Sequence, residues 1–268
     1  MAVDPVAFRI GNLEIRWYGL LIALALLVGI TIAYLVAKYR GKKQEEIINF
    51  APFAVIFGVL GARLVHVVVN WSFYAANPAL IFAIRRGGLA IQGVMLGGLL
   101  ALFIFCRVRK LYFWTWADIV APALVMGQAI GRWGNFFNQE AFGIPTDLPW
   151  AIYIEPANRP PAYASFEYFH PTHLYESLAN LALFGLLLFM HRFYKRRPDR
   201  LPDGLIICAY LAFYAVYRTF IESIRVDSTY IGPIRAVYLL NIVAIVLAIV
   251  IANALVTRFK QKKIKDSQ

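Results

Sequence analysis

The sequence predicts an all-α integral membrane protein: a bundle of seven spanning helices with a small external cap that contains short strands. Three observations predict it. Of the 268 residues, 60% are hydrophobic and only 16% are charged, and mean hydropathy is +0.62, a composition that belongs to multispanning chains. Apolar runs of about 20 residues, the length that crosses a hydrocarbon core about 30 Å thick, recur at 17–37, 48–70, 88–106, 117–137, 172–191, 204–225 and 236–257. The basic segments 38–43, 107–110, 192–200 and 258–265 hold 17 of the 27 Lys and Arg, and they follow the first, third, fifth and seventh runs. They therefore share one side, which the positive-inside bias makes cytoplasmic, so the N-terminus is expected outside and the C-terminus inside.

The remaining elements read in order as follows. Phe8-Arg9-Ile10 and Leu13-Glu14-Ile15 flank Gly11-Asn12, the pattern of a two-residue hairpin. The first span is followed by Lys38-Tyr39-Arg40-Gly41-Lys42-Lys43, a stop-transfer pattern that argues against a cleavable signal peptide. Asn77-Pro78 supplies an N-cap and a first helical position for a short helix over 79–84. That helix ends at Arg85-Arg86-Gly87-Gly88 and suits the outer membrane interface. Residues 138–171 contain six of the thirteen prolines, with a strand expected over 150–155, and form the external cap. Cys106 and Cys208 fall inside apolar spans and read as small core residues rather than a disulfide framework. The net charge of +12 does not point to nucleic acid, because in so apolar a chain the cations flank helices. No duplicated halves of a transporter are apparent.

Against this background, four arginines inside the spans are anomalous: Arg63, Arg132, Arg218 and Arg225. Each costs roughly 2.5–3.5 kcal/mol at the bilayer centre. Counted from the cytoplasmic ends of their spans, Arg63, Arg132 and Arg218 lie about 21–22 Å up, with Glu222 and Arg225 nearer the outer surface. Gln92 and Glu176, on downward spans, share that layer. Arg218, Glu222 and Arg225 are spaced i, i+4, i+7 on one helical face, and Arg132 and Asn135 are i, i+3 neighbours on another. The basic groups outnumber the acidic ones, so an anionic ligand is expected; the planar fork of arginine suits phosphate. A phospholipid would reach this depth with its tails still in hydrocarbon. Glycines at 87, 88, 93, 97 and 98, and at 127, 131 and 134, allow close helix approach or open backbone to a cavity.

The exit of the fourth span reads Gly131-Arg132-Trp133-Gly134-Asn135-Phe136-Phe137-Asn138-Gln139-Glu140-Ala141-Phe142-Gly143. This string resembles the signature of the bacterial prolipoprotein diacylglyceryl transferases at every one of its positions. Arg16-Trp17-Tyr18-Gly19-Leu20, Gly61-Ala62-Arg63, Gly87-Gly88-Leu89-Ala90-Ile91, His170-Pro171-Thr172-His173-Leu174-Tyr175-Glu176 and the Arg218, Glu222, Arg225 set fit in the same order. The resemblance implies a seven-helix protein of the bacterial cytoplasmic (inner) membrane whose site faces the periplasmic side. It implies transfer of the diacylglyceryl group of phosphatidylglycerol to the lipobox cysteine of a preprolipoprotein, forming a thioether and releasing glycerol phosphate. By matching positions, Arg132 and Arg218 would bind the phosphate, with Arg225 and Arg63 nearby. Tyr18, Asn135, Asn138, Glu140 and Glu222 match further functional positions.

Two departures stand out. The family usually carries His where this chain has Gln92, an amide that cannot take a proton near pH 7. The last span opens with Ala236-Val237-Tyr238 in place of a Met-Gly-Gln-type turn. The implied chemistry is displacement at a glycerol carbon by a cysteine thiolate, whose pKa falls near cations. Arg132 and Arg218 would stabilise the leaving phosphate. Glu140 and Glu222 both remain open as proton acceptor, with Gln92 able only to hydrogen-bond.

No metal and no cofactor is indicated: His170 and His173 lack acidic support, and there is no phosphate loop, nucleophile elbow or dinucleotide fingerprint. Two other functions fit parts of the pattern. An anionic-lipid transporter or flippase would need access from both sides, whereas the charges gather in the outer half. A catalytically altered or inactive paralogue that binds lipid or lipoprotein is the reading that Gln92 supports.

Overall fold

The computed structural model describes residues 4–11, 13–84, 87–197 and 200–266. Asn12 of the expected hairpin turn, Arg85-Arg86 of the expected helix end, and Pro198-Asp199 of the third basic segment lie outside the described residues. Seven helices among the described residues are long and apolar enough to cross a membrane: α1 (Trp17–Tyr39), α2 (Glu45–Val69), α4 (Ile91–Val108), α5 (Phe113–Asn138), α6 (Thr172–Arg196), α7 (Leu205–Ile224) and α8 (Ala236–Asp266). Each contains one of the apolar runs, with ends displaced by a few residues. α8 runs nine residues past its apolar stretch because Lys263 and Lys265 complement the negative end of the helix dipole. The chain groups into two compact units, Met1–Ala33 with Val120–Gln268, and Tyr34–Ile119.

In the first unit, the expected hairpin forms from β1 (Val6–Ile10) and β2 (Leu13–Arg16), paired antiparallel. Ala121, Val125, Leu183, Leu187, Ile206 and Tyr210 form the buried core that joins α5, α6 and α7. Between α5 and α6, the strand expected over 150–155 is only two residues long, β3 (Ile152–Tyr153), paired with β4 (Tyr168–Phe169). The proline-rich segment is nevertheless held as one piece. Phe142, Ile154 and Phe169 bury a second small core beneath it. Backbone bonds from Gly143 N–H to His170 O (2.9 Å) and from Ile144 N–H to Ile224 O (2.8 Å) tie it to the start of α6 and the end of α7. A hairpin of β5 (Tyr230–Ile231) and β6 (Ile234–Arg235) precedes α8.

In the second unit, α2 and α4 cross at glycines. A Cβ on Gly93 would sit 2.1 Å from the Gly61 carbonyl oxygen, and one on Gly97 would sit 2.0 Å from that of Phe57. Gly98 faces open space, so it has no such role. After α2 comes α3 (Trp71–Ala76), then a 3-10 turn over Pro78–Phe82 where the sequence suggested an α-helix. Asn77 does not cap that turn; its side-chain amide instead donates to the Phe73 carbonyl, 3.1 Å away, one turn back in α3. The local bond to α3 out-competes the cap.

The α2–α4 crossing yields a sharp test. Gly93→Ala should lower stability by about 1–3 kcal/mol, because backbone must move to admit the methyl group. Gly98→Ala should be neutral or slightly stabilising, and thermal unfolding in detergent separates the two.

Candidate active site

The site is built where α5 ends, α6 begins and α7 ends. Arg132 and Asn135 lie in the last two turns of α5. The helix stops at Asn138, and Gln139 and Ala141 then adopt left-handed conformations, at φ 51° and 58°. Such conformations cost roughly 1–2 kcal/mol for residues with a Cβ. Hydrogen bonds hold them: the Gln139 side-chain oxygen accepts from Glu155 N–H at 2.7 Å and from the Asn158 amide at 3.2 Å. The Thr172 hydroxyl donates to the Ala141 carbonyl. The strained turn presents Glu140, whose Oε1 accepts from the side-chain amides of Asn135 (2.9 Å) and Asn138 (3.2 Å).

Glu176, in the first two turns of α6, is the hub. Its side chain is 1% exposed, and three guanidinium groups approach it. Arg132 Nη2 lies 2.6 Å from Oε2, Arg225 Nη1 lies 3.5 Å from Oε1, and Arg218 Nη1 lies 3.8 Å from the same oxygen. Arg218 is also paired across one turn of α7 with Glu222, at 2.7 Å. Arg225 donates twice to Asp227, at 2.9 and 2.7 Å. Arg225 therefore stands between the buried Glu176 carboxylate and Asp227 at the edge of the cluster.

The charge balance is therefore tighter than the excess of arginine in the sequence suggests. Three arginines face three carboxylates, of which Asp227 sits half-exposed at the edge. Unspent donors remain all the same. Arg218 Nη1 is buried without a hydrogen-bond partner, and Arg132 Nη1 has only the Asn135 side-chain oxygen at 3.5 Å. These two cations can accept an anion without first losing a strong bond.

Polar and aromatic groups enclose the hub. Ser177 donates to the Ala129 carbonyl (3.0 Å), and Tyr217 donates to buried Asn180 (2.6 Å). The Tyr18 ring lies against Gly134, where a Cβ would come within 2.5 Å of it. His170 Nδ1 is 3.1 Å from the Tyr175 hydroxyl, which also accepts from Trp150 at 2.8 Å. His173 is buried beside Phe136.

Arg63 and Gln92 belong to the second unit. The Arg63 guanidinium donates to the carbonyls of Leu80, Ile81 (2.8 Å), Gly87 (2.8 Å) and Gly88 (3.0 Å). It also lies over the Tyr74 ring, 5.1 Å from its centroid. Its donors are almost fully used by backbone, so it holds Leu80 and Ile81 together with Gly87 and Gly88. Gln92 is exposed in the first turn of α4.

Sequence reasoning missed Asp227, Asn180, Tyr217 and Gln139. Asp227 follows Arg225 by two residues, and Asn180 is one helical turn from Glu176, so spacing carried a signal for both. Gln139 was marked only by its place in the Gly131–Gly143 string, and Tyr217 carried no signal, since its partner is distant in the chain.

Seven apolar helices and, within the first unit, a buried arginine–carboxylate cluster define a polytopic membrane protein with a polar site rich in cations. A family model described as prolipoprotein diacylglyceryl transferase matches residues 5–254, and the chain belongs to that family. Among its relatives are proteins named phosphatidylglycerol–prolipoprotein diacylglyceryl transferase. That of Synechococcus elongatus is 48% identical over 241 residues, covering 90% of this chain and 83% of the relative. That of Trichormus variabilis is 46% identical over 245 residues (91% and 87%), and that of a Synechocystis species is 43% identical over 243 (91% and 86%).

Glu176→Gln should lower stability by about 3–5 kcal/mol, because it leaves three arginines facing a neutral amide. Asp227→Asn, at a half-exposed carboxylate, should cost under about 1 kcal/mol. Denaturant or thermal unfolding in detergent measures both.

Proposed function

We propose that the chain moves the diacylglyceryl group of phosphatidylglycerol onto the lipobox cysteine thiol of a preprolipoprotein. A glycerol carbon–oxygen bond breaks, a carbon–sulfur bond forms, and glycerol phosphate leaves with the bonding electrons. The observation that carries this reading is the pair of unspent guanidinium donors, on Arg132 and Arg218, beside the Glu176 hub. A phosphate docked there would meet two fixed cations, and charge developing on the leaving group would be stabilised without reorganisation. Arg225 adds field from its place between Glu176 and Asp227. Tyr18, Asn135, Asn138 and Glu222 border the same cluster and would shape the lipid and peptide positions.

The thiol proton needs an acceptor. Glu222 is committed to Arg218 at 2.7 Å, whereas Glu140 is exposed and takes both amide bonds on Oε1 alone. Oε2 of Glu140 is therefore the acceptor assigned here. In this reading Gln92 supplies hydrogen bonds only, and Arg63 acts through the backbone segment it holds.

The setting proposed is the bacterial inner membrane, with the N-terminus outside and the C-terminus inside. The basic segments at the C-terminal ends of α1, α4, α6 and α8 then face the cytoplasm. The site and the 138–171 cap then lie toward the periplasmic face, where exported prolipoproteins arrive.

Incubating the purified chain with phosphatidylglycerol and a lipobox peptide should add a diacylglyceryl mass to the peptide. Lipid binding without a mass gain would instead mark a non-catalytic homologue. Arg132→Ala and Arg218→Ala should each lower turnover about 100- to 1,000-fold, equivalent to about 3–4 kcal/mol of barrier. Near wild-type turnover in either variant refutes the phosphate assignment.

A further inference from the structure

We propose that a recess within residues 34–119 binds the phosphate head group of an anionic phospholipid at a site separate from the residues assigned to diacylglyceryl transfer. The recess, about 270 Å³, lies between the turn that joins α1 to α2 and the turn that joins α4 to α5. Lys42, Lys43 and Lys110 are exposed around it, while Thr115 and Trp116, at 3% and 5% exposure, form its buried wall. The volume is slightly below the range of about 300–1,000 Å³ typical of small-molecule pockets, which suits a head group rather than a whole lipid.

The two turns are built alike. α1 closes with Gly41 N–H to Lys38 O (3.0 Å) and Lys42 N–H to Ala37 O (2.9 Å). α4 closes with Lys110 N–H to Arg107 O (3.3 Å) and Leu111 N–H to Cys106 O (2.8 Å). Both are the paired-bond helix ending in which the residue after the helix turns left-handed, a position that favours glycine. Gly41 fills it in the first turn at φ 65°; Lys110 occupies it in the second at φ 56°. Lys110 is held there against its backbone preference and lines the same recess as Lys42 and Lys43.

The positive charge is not used up internally. Glu46, a buried carboxylate of this unit, is gripped by Arg109 at 3.0 and 2.8 Å. Lys43 influences Glu46 only through space, and none of the three lysines forms an ion pair with a described carboxylate. Four helices of membrane-crossing length end or begin at these turns, so the recess lies at a membrane boundary whichever face that is. Exposed ammonium groups are strongly hydrated and hold free phosphate weakly. A lipid, anchored by its tails, presents phosphate at this depth at high local concentration, and basic recesses between spanning helices take such head groups.

The test uses the full chain in detergent, titrated with dioleoyl phosphatidic acid and followed by native mass spectrometry. Relative to wild type, the K42Q/K43Q/K110Q triple variant should lose one bound lipid, with affinity for that site reduced at least about tenfold. K42R/K43R/K110R should retain it, which separates loss of charge from loss of fold. Dioleoyl phosphatidylcholine should not occupy the site, and inorganic phosphate should not displace the lipid. Unchanged lipid stoichiometry and affinity in the glutamine variant, equal occupancy by phosphatidylcholine, or displacement by inorganic phosphate would each overturn the proposal.

Discussion

One buried carboxylate organises this protein. Glu176 sits almost fully out of solvent between Arg132, Arg218 and Arg225, in helices whose remaining residues are mostly apolar. A lone charge in such surroundings costs several kcal/mol even after relaxation. The arginines are tolerated because Glu176 and Glu222 are there, and the carboxylates because the arginines are. The arrangement also limits what a ligand can do. An anion that displaced Glu176 outright would strand a carboxylate in the same low-dielectric space. An anion that takes the unspent edges of Arg132 and Arg218 leaves the hub in place, and its own charge uses the one-unit excess of the buried groups.

The hub is positioned by chain segments that contribute no charge to it. α5 must stop at Asn138 for Glu140 to turn toward Asn135, and two non-glycine residues in left-handed conformation are what turn it. That strain persists because the proline-rich segment supplies bonds to Gln139 and carries its own small core of Phe142, Ile154 and Phe169. The cap segment is thus part of the site's scaffold. Gly143 marks the tightest point: a Cβ there would come 2.8 Å from the His170 side chain and 3.0 Å from the Ile224 carbonyl. The end of α5, the start of α6 and the end of α7 are brought together through that contact.

The sequence carried the fold well because membrane spans announce themselves locally. A run of about 20 apolar residues has few alternatives, and all seven helices contain one. Hairpin β1–β2 was equally legible from Gly11-Asn12 between alternating residues. Short elements were not: α3 and hairpin β5–β6 have too few residues for a period to emerge, and Asn77 had a competing acceptor in Phe73. Within the site, Arg132, Arg218, Glu222 and Arg225 stood out because charge in an apolar helix is improbable. Asp227 did not, because a carboxylate in a polar turn is ordinary. Gln139 and Tyr217 gain meaning only from Glu155 and Asn180, partners that no local pattern names.

Arg63 shows where such reading stops. By residue type, depth and flanking glycines it looked equivalent to Arg132. The structure gives the two opposite environments. Arg132 faces carboxylate, a partner of full charge that leaves one edge of the guanidinium free. Arg63 faces four backbone carbonyls, a set that uses nearly every donor and neutralises nothing. The first arrangement leaves a donor open to an anion; the second holds the carbonyls of Gly87 and Gly88, which stand at φ 85° and 75°. Carbonyl acceptors belong to every residue and so are invisible in a sequence. Two arginines identical on paper thus divide into one suited to bind and one suited to brace, and only the identity of the acceptor atoms separates them.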